Sequence, residues 1–398
     1  MSGVTKHIYN AEICDILSMW NTQLKTISKT LPCEYTHADI VESLKHYYPH
    51  EWFSVEIKYQ YYKQKDKYLK HICGKTRYNM LPAENLLMEA SQYKTLISSQ
   101  FRQKYSQVFS LYDCNEAKRK LWEDRKPKIQ RINQKIDHAK SKVQQVTPNY
   151  IYQMIGLYER KNTSQKDKLY ILAELKKYYS PKIIQFFFKL NDTELNKQLR
   201  WEAFYHLQSF NYHPRARRQK YMQVHAKNKK RKDYLKNIYP NERNEILHTP
   251  DELEYRIDNS KEQKIKRYDY FISHSYKNGK VVQELIQHEN SSGYDVFCDW
   301  INDSDYLKRH LLCSATLSVI EKRLQQSNAL IFVKSDDSIA SVWCRYELNY
   351  FYQLNKPIYS IEVKKIENNN FELELETIDW FLDPNYKLLV PFKEDSLR

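Results

Sequence analysis

Along the first 260 positions apolar residues recur at three- and four-residue spacing, the mark of helices with one buried face, and almost nowhere alternate with period two. Thr147-Pro148 and Thr249-Pro250 each set a capping residue before a proline suited to a first helical turn. Glu252 stands at the capping-box distance from Thr249. A long helix is expected from Pro82, with Leu86, Leu87, Ala90, Tyr93, Leu96 and Ile97 on one stripe, and another from Lys166 to Tyr179. Pro181 to Phe210 reads as two apolar helices parted at Asn191-Asp192, and Lys118 to Lys142 as a charged helix. This region is expected to be all-α.

From Arg267 the rhythm changes. Strands are expected at Tyr268–Ser273, Tyr294–Asp299, Ala329–Lys334, Pro357–Val363 and Lys387–Phe392. Helices are expected between them at Gly279–Glu289, Ala315–Gln326 and Val342–Gln353. Successive βα units of this size imply a parallel sheet covered by helices, with ligands outside the carboxyl ends of the strands. Those ends carry Ser273, His274 and Ser275, then Asp299 and Trp300, then Ser335 and Asp336.

Charge divides the chain in the same place. The net +15 is uneven: residues 261–398 hold 18 basic and 21 acidic side chains, which leaves +18 on residues 1–260. Two domains are therefore expected, a basic all-helical region over 1–262 and an α/β domain over 266–398. The densest run, His213 to Lys236, includes Arg215, Arg217, Arg218, Lys229, Lys230 and Arg231 with only Asp233 opposing. It reads evenly as a phosphate-contacting surface for nucleic acid or as a solvated helix face.

Composition narrows the chemistry. Only 5 glycines occur, none close to another, so neither a dinucleotide-binding Gly-rich turn nor a P-loop is present. The 7 cysteines form no C-x-x-C pair, which suits reduced thiols in a cytoplasmic protein; Cys298 and Cys344 read as core. No metal site is expected. A mean hydropathy of −0.80 and the lack of a long apolar run speak against a membrane span, and no signal peptide is evident.

The segment from residue 266 on resembles a TIR (Toll/interleukin-1 receptor) domain across its length. Three motifs carry the resemblance: Tyr268-Asp-Tyr-Phe-Ile-Ser-His-Ser275, Val296-Phe-Cys-Asp-Trp300, and Ser335-x-x-Ser-x-x-Ser-x-Trp-Cys-x-x-Glu-Leu348. The resemblance implies a flavodoxin-like fold and, since the likeness is greatest to prokaryotic members, cleavage of NAD+ with Glu347 as the catalytic residue. It further implies substrate contacts from Ser273, His274, Asp299, Trp300 and Trp343, with NAD+ as substrate and no cofactor. Such proteins often act in bacterial defence against phage, so activation by oligomerisation through TIR domains, or by a nucleic-acid or protein trigger at the basic region, is expected. Released products are expected to be nicotinamide and ADP-ribose or a cyclic relative. The connector after the second strand lacks the glycine usual in the family. Lys189 to Phe204 also resembles one hairpin of a HEAT-type repeat, with no second copy at a fixed period.

Glu347 can be weighed by itself. It lies four residues after Trp343, on the same helix face. Nicotinamide leaves a pyridinium as a neutral molecule, so the enzyme's task is to stabilise positive charge on the ribose, for which one fixed carboxylate suffices. Without the resemblance, Glu347 reads first as a solvated helix carboxylate paired with Arg345 or with a neighbouring helix, and only second as a catalytic group. Trp343 reads as a pocket wall or a core aromatic, and His274 as a proton carrier or a structural residue. The rival to an NADase is a non-catalytic adaptor acting through TIR–TIR assembly.

Overall fold

A computed structural model describes residues 4–216, 241–308 and 311–388. The chain divides into two compact units, residues 1–137 with 207–221, and residues 138–206 with the chain from 222 on.

The first unit is helical: α1 (Val4–Ile27), α2 (His37–Tyr47), α3 (Pro49–Cys73), α4 (Ala83–Leu87), α5 (Ser91–Ile97), α6 (Ser99–Val108) and α7, which starts at Leu111 and runs to Lys140. Its core gathers Trp20, Leu24, Ile27, Leu44, Leu87 and Leu96. The stripe expected after Pro82 is buried apart from Ile97, but it is divided between α4 and α5, and α6 follows as a third short helix. Ala90 and Ser98 take extended backbone at the breaks, and the Ser98 hydroxyl caps α6 by accepting from the Phe101 N–H at 3.3 Å. A serine that satisfies an orphan N–H of the next helix starts that helix in preference to extending the last.

Asp66 on α3 pins the loop that follows. Its carboxylate accepts from the N–H groups of Arg77 (2.8 Å), Tyr78 (2.9 Å) and Asn79 (2.6 Å), and these bonds outweigh burial to hold its pKa below the usual carboxylate range. Asp66→Ala strands the buried Tyr78 N–H while the part-buried Arg77 and Asn79 N–H groups regain water, and is expected to cost roughly 3 kcal/mol, since a hydrogen bond to a charged group is worth about 1.5–3. Denaturant titration of the full chain measures it; a loss below about 1 kcal/mol contradicts the assignment.

The second unit opens with α8 (Ile151–Glu159), α9 (Gln165–Leu175), α10 (Pro181–Thr193) and α11 (Lys197–Ser209, whose last three residues fall in the first unit), and resumes with α12 (Pro250–Asn259) and α13 (Lys261–Lys264). Thr249 caps α12 as expected, its hydroxyl accepting from Glu252 N at 3.3 Å. Thr147 does not cap α8, which starts at Ile151 behind Tyr150. α9 stops at Leu175, four residues early, because Lys177 and Tyr179 bond the backbone of Gln144 instead (2.9 and 2.8 Å).

Among the described residues five strands follow: β1 (Tyr268–Ser273), β2 (Val296–Phe297), β3 (Ser327–Lys334), β4 (Ile358–Glu362) and β5 (Glu374–Leu375). They lie in the order β2-β1-β3-β4-β5, parallel except for β5. Helices α14 (Gly279–Ser291), α15 (Asp299–Asn302), α16 (Ser314–Gln326), α17 (Asp336–Ile339), α18 (Val342–Gln353) and α19 (Val363–Glu367) complete the layers. Alternation along the strands sends Phe271, Leu330 and Phe332 to one face, against Leu324 of α16 and Leu348 of α18. Ile272, Ile331 and Val333 go to the other, against Val282 and Leu285 of α14 and Ile366 of α19. The doubly wound arrangement is the one read from the sequence. The antiparallel β5 was not foreseen. Of the strand expected at Lys387–Phe392, Lys387 and Leu388 lie in a 3-10 turn and the rest falls outside the described residues.

β2 is an edge strand, and Gln144 covers that edge. Its amide accepts from Val296 N at 3.2 Å and donates to Val296 O, so one side chain stands in for a neighbouring strand. Beside it lies a buried charge network. Glu174 of α9 meets Lys266 and Lys177, Lys177 reaches Asp303 at 3.2 Å, and Asp303 takes Arg323 of α16 at 2.8 Å. These contacts bind residues 138–206 into the unit that holds the sheet, so the compact units do not follow the division at 262 read from charge. Charge balance reports exposed chemistry and is blind to which faces are buried.

Candidate active site

Strand alternation points Ser273, the last residue of β1, to the Phe271 face, where α18 packs. α18 starts at Val342 because the Ser341 hydroxyl accepts from Cys344 N, and five residues into it Glu347 faces the strand end. The Ser273 hydroxyl donates to Glu347 Oε2 at 2.6 Å. Glu347 is only 8% exposed and, among the described residues, forms no ion pair. Arg345, the partner its position in sequence suggested, lies over the Phe381 ring at 5.0 Å instead. Burial pushes the Glu347 carboxyl up to about 8; the Asp299 charge adds to the rise and the Ser273 hydroxyl opposes it. A carboxylate held dry and without a counter-ion is poised to stabilise a cation brought to it.

β2 delivers the second group of side chains beside β1. Tyr270 pairs with Val296 and Phe271 with Phe297, so the carboxyl ends of the two strands coincide. Asp299 opens α15 and is half-buried; Trp300 follows, 37% exposed, with its ring centroid 6.3 Å from that of His274. His274 is half-buried, its Nδ1 at 3.4 Å from the Ile272 carbonyl oxygen. The turn is closed by Asn302, whose Oδ1 accepts from Cys298 N at 2.9 Å and from Gln144 Nε2 at 3.0 Å. A hydrogen-bonded helical turn thus forms directly behind β2 without the glycine usual there. Cys298 and Cys344 are fully buried, and burial raises both thiols, Cys344 to about 12.

Trp343 lies one turn before Glu347 on α18. Its half-buried ring packs against the core under α18 and against the Tyr346–Tyr386 cluster. Ser335, read as a strand-end and motif residue, and Ser338, read as a motif residue, each bond the other's backbone N–H in a capping box on α17 (3.1 and 2.8 Å). Ser335 Oγ also donates to Asn278 Oδ1 at 2.8 Å, and Lys277 pairs with Asp337 at 2.6 Å. These two contacts tie the loop after β1 to the loop after β3 at the mouth of the site. The Ser-x-x-Ser spacing was the available signal for the cap.

His274, Cys298 and Asp299 place one nitrogen, one sulfur and one oxygen within 4.8 Å of one another. A cavity of about 490 Å³ elsewhere in this unit is lined by Glu174, Lys177, Glu202, Asn302 and Tyr306 among others, and by none of the side chains expected to bind substrate. In the first unit Arg215 is paired with Asp15 at 3.0 Å. Arg217, Arg218, Lys229, Lys230 and Arg231 lie outside the described residues.

Residues 271–368 match the family described as "Thoeris protein ThsB, TIR-like domain". The chain is 33% identical over 385 residues to the protein named "Putative cyclic ADP-D-ribose synthase TIR2" of Cytobacillus dafuensis, covering 96% of this chain and 98% of that one. It is 32% identical over 102 residues to "Probable 3' cyclic ADP-D-ribose synthase ThsB'" of Bacillus cereus (strain MSX-D12), covering 26% of this chain and 52% of that one. No solved structure gives a significant match.

Proposed function

Because the chain belongs to the prokaryotic TIR-domain family of the Cytobacillus dafuensis protein, we propose that it cleaves the nicotinamide–ribose bond of NAD+ as an effector of anti-phage defence. The observation that carries this reading is the buried Glu347 carboxyl, bonded to Ser273 at the carboxyl ends of the strands. The C1′–N bond breaks with both electrons passing to nicotinamide, which leaves neutral, and the ribose is left as an oxocarbenium-like cation beside the Glu347 carboxylate. Ser273 holds that carboxylate in place. Asp299 bonds ribose hydroxyls, and the exposed Trp300 ring and His274 offer surfaces for a flat ring. Trp343 keeps α18 on the sheet.

The cation is then captured by a group of the same ADP-ribose, giving a cyclic product, or by water, giving ADP-ribose. The names of both relatives and the dryness of the site favour cyclisation, since an intramolecular nucleophile has a high effective concentration where water is excluded. The basic run around Arg215–Arg231 is the proposed contact for an activating nucleic acid, whose binding must then weaken steeply with salt. Association of TIR domains is the proposed switch, which keeps an enzyme that consumes cellular NAD+ quiet until triggered.

The test is chromatographic. Purified full-length protein is incubated with NAD+, with and without nucleic acid, and nicotinamide, ADP-ribose and cyclic ADP-ribose are quantified. Equimolar nicotinamide and cyclic product are expected. Intact NAD+ under every condition leaves the adaptor reading standing, and ADP-ribose as the sole product overturns cyclisation.

A further inference from the structure

The NAD+ reaction gives Cys298 no role, yet its sulfur lies between two part-exposed ligand-type side chains. We propose that His274, Cys298 and Asp299 form a binding site for a soft divalent cation of the Zn2+ type, and that its occupancy shuts NAD+ out of the adjacent cleft.

The placement follows from the sheet. With Phe271 opposite Phe297, Ile272 stands opposite Cys298 on one face, and His274 continues that face one step beyond the strand. Asp299 is brought in by the turn into α15. The three donor atoms lie within 4.8 Å of one another. In a tetrahedral site with bonds of about 2.0–2.3 Å, donors sit roughly 3.3–3.8 Å apart, so closure needs about 1 Å of movement. His274 and Asp299 are part-exposed and free to supply it, whereas Cys298 is fixed in the core.

The donor set selects the metal. One sulfur, one imidazole and one carboxylate suit Zn2+ or Co2+, while Mg2+ and Ca2+ prefer oxygen alone. The Nδ1 of His274 faces the Ile272 carbonyl at 3.4 Å, the orienting contact that leaves Nε2 for a metal. Three protein ligands leave a fourth position for water on the side of the exposed Trp300. On binding, the Cys298 thiol loses its proton to solvent and the sulfur–metal bond replaces the S–H bond; thiolate and carboxylate together neutralise the dication. The same cation takes the Asp299 and His274 side chains away from substrate and cancels the Asp299 charge that would otherwise attract the positively charged nicotinamide ring. The inhibitory half of the proposal rests on the NAD+ reading above; the binding half does not.

Co2+ serves as the probe, titrated into chelator-free full-length protein. One equivalent is expected to give a thiolate-to-cobalt charge-transfer band in the near ultraviolet with visible d–d bands of tetrahedral intensity, both erased by Zn2+. Cys298→Ala abolishes the charge-transfer band. His274→Asn, which leaves the core untouched, weakens Co2+ binding at least about tenfold while keeping the band at saturation. A folded wild type without the band overturns the site. So does a band that survives in Cys298→Ala, which then belongs to Cys14, Cys33, Cys73 or Cys313. With NAD+, Zn2+ is expected to raise KM and leave kcat unchanged, and an unchanged KM at saturating Zn2+ overturns the inhibitory half. If no NAD+ is cleaved at all, the functional proposal fails and the cobalt spectrum still decides the site.

Discussion

Glu347→Gln is expected to lower kcat for NAD+ cleavage by about 10²- to 10³-fold, with KM within a few-fold of the wild type. Gln keeps the shape and the hydrogen bond with Ser273 but removes the charge that faces the ribose cation. A substitution that acts on the transition state alone spares ground-state binding. Loss of activity with a large rise in KM would instead make Glu347 a binding residue, and full activity would remove it from the reaction.

The same residue fixes two opposite pH dependences. With its carboxyl raised to about 8, the working carboxylate is the minor form at pH 7, so kcat/KM rises about tenfold per pH unit below 8 and levels above it. Stability runs the other way. Between the usual carboxylate pKa and about 8 the folded state holds a proton that the unfolded chain has released, so stability falls as pH rises across that window. Glu347→Gln removes this burden. It should raise the melting temperature, by more at pH 8 than at pH 5, while it lowers kcat as above. A variant less stable than wild type at pH 8 contradicts the picture of a carboxylate held dry for catalysis.

How much of this was legible in the sequence depends on the range of the interaction. β1 and α18 have the bounds read from residue patterns, because a buried strand and a capped helix are specified by their own side chains. Ser273 and Glu347 were each legible, but their 2.6 Å bond is made by residues 74 apart and needed the packed sheet. β2 shrank to two residues because Asp299 begins a helical turn and Gln144 takes over the strand's outer edge, 152 residues away from Val296. Glu347 does not pair with Arg345, whose guanidinium lies over the Phe381 ring while the carboxylate is bonded to Ser273. The compact units depart from the charge division because the charges that join residues 138–206 to the sheet, Glu174, Lys177, Lys266, Asp303 and Arg323, nearly cancel and leave little trace in a net-charge count.

That buried network carries the second large effect. Arg323 is fully buried; its Nε and Nη2 bond Asp303 at 2.8 and 3.4 Å, and Nη2 also reaches Gln263 Oε1 at 3.0 Å. Burial alone would raise the Glu174 and Asp303 carboxyls. The cations Lys177, Lys266 and Arg323 outweigh it, and Glu174 is held at about 2. Arg323→Met leaves Asp303 buried with Lys177 as its remaining ion-pair partner and the Lys266 charge nearby, and is expected to destabilise the unit that holds the sheet by about 3–5 kcal/mol. Adding Asp303→Leu removes the stranded charge and is expected to recover most of that loss, although two charges are then gone, because an apolar pair of similar volume replaces an ion pair at little cost. Depressed carboxylates stabilise above their unfolded pKa values near 4 and lose that contribution as pH falls below them. Wild type should therefore weaken between about pH 4 and 2, and the double variant should weaken less. Denaturant titrations of the three proteins at neutral and acid pH measure every term. A single variant as stable as wild type, or a double variant no better than the single, would mean that apolar packing and not this network fixes α9 to the turn behind β2.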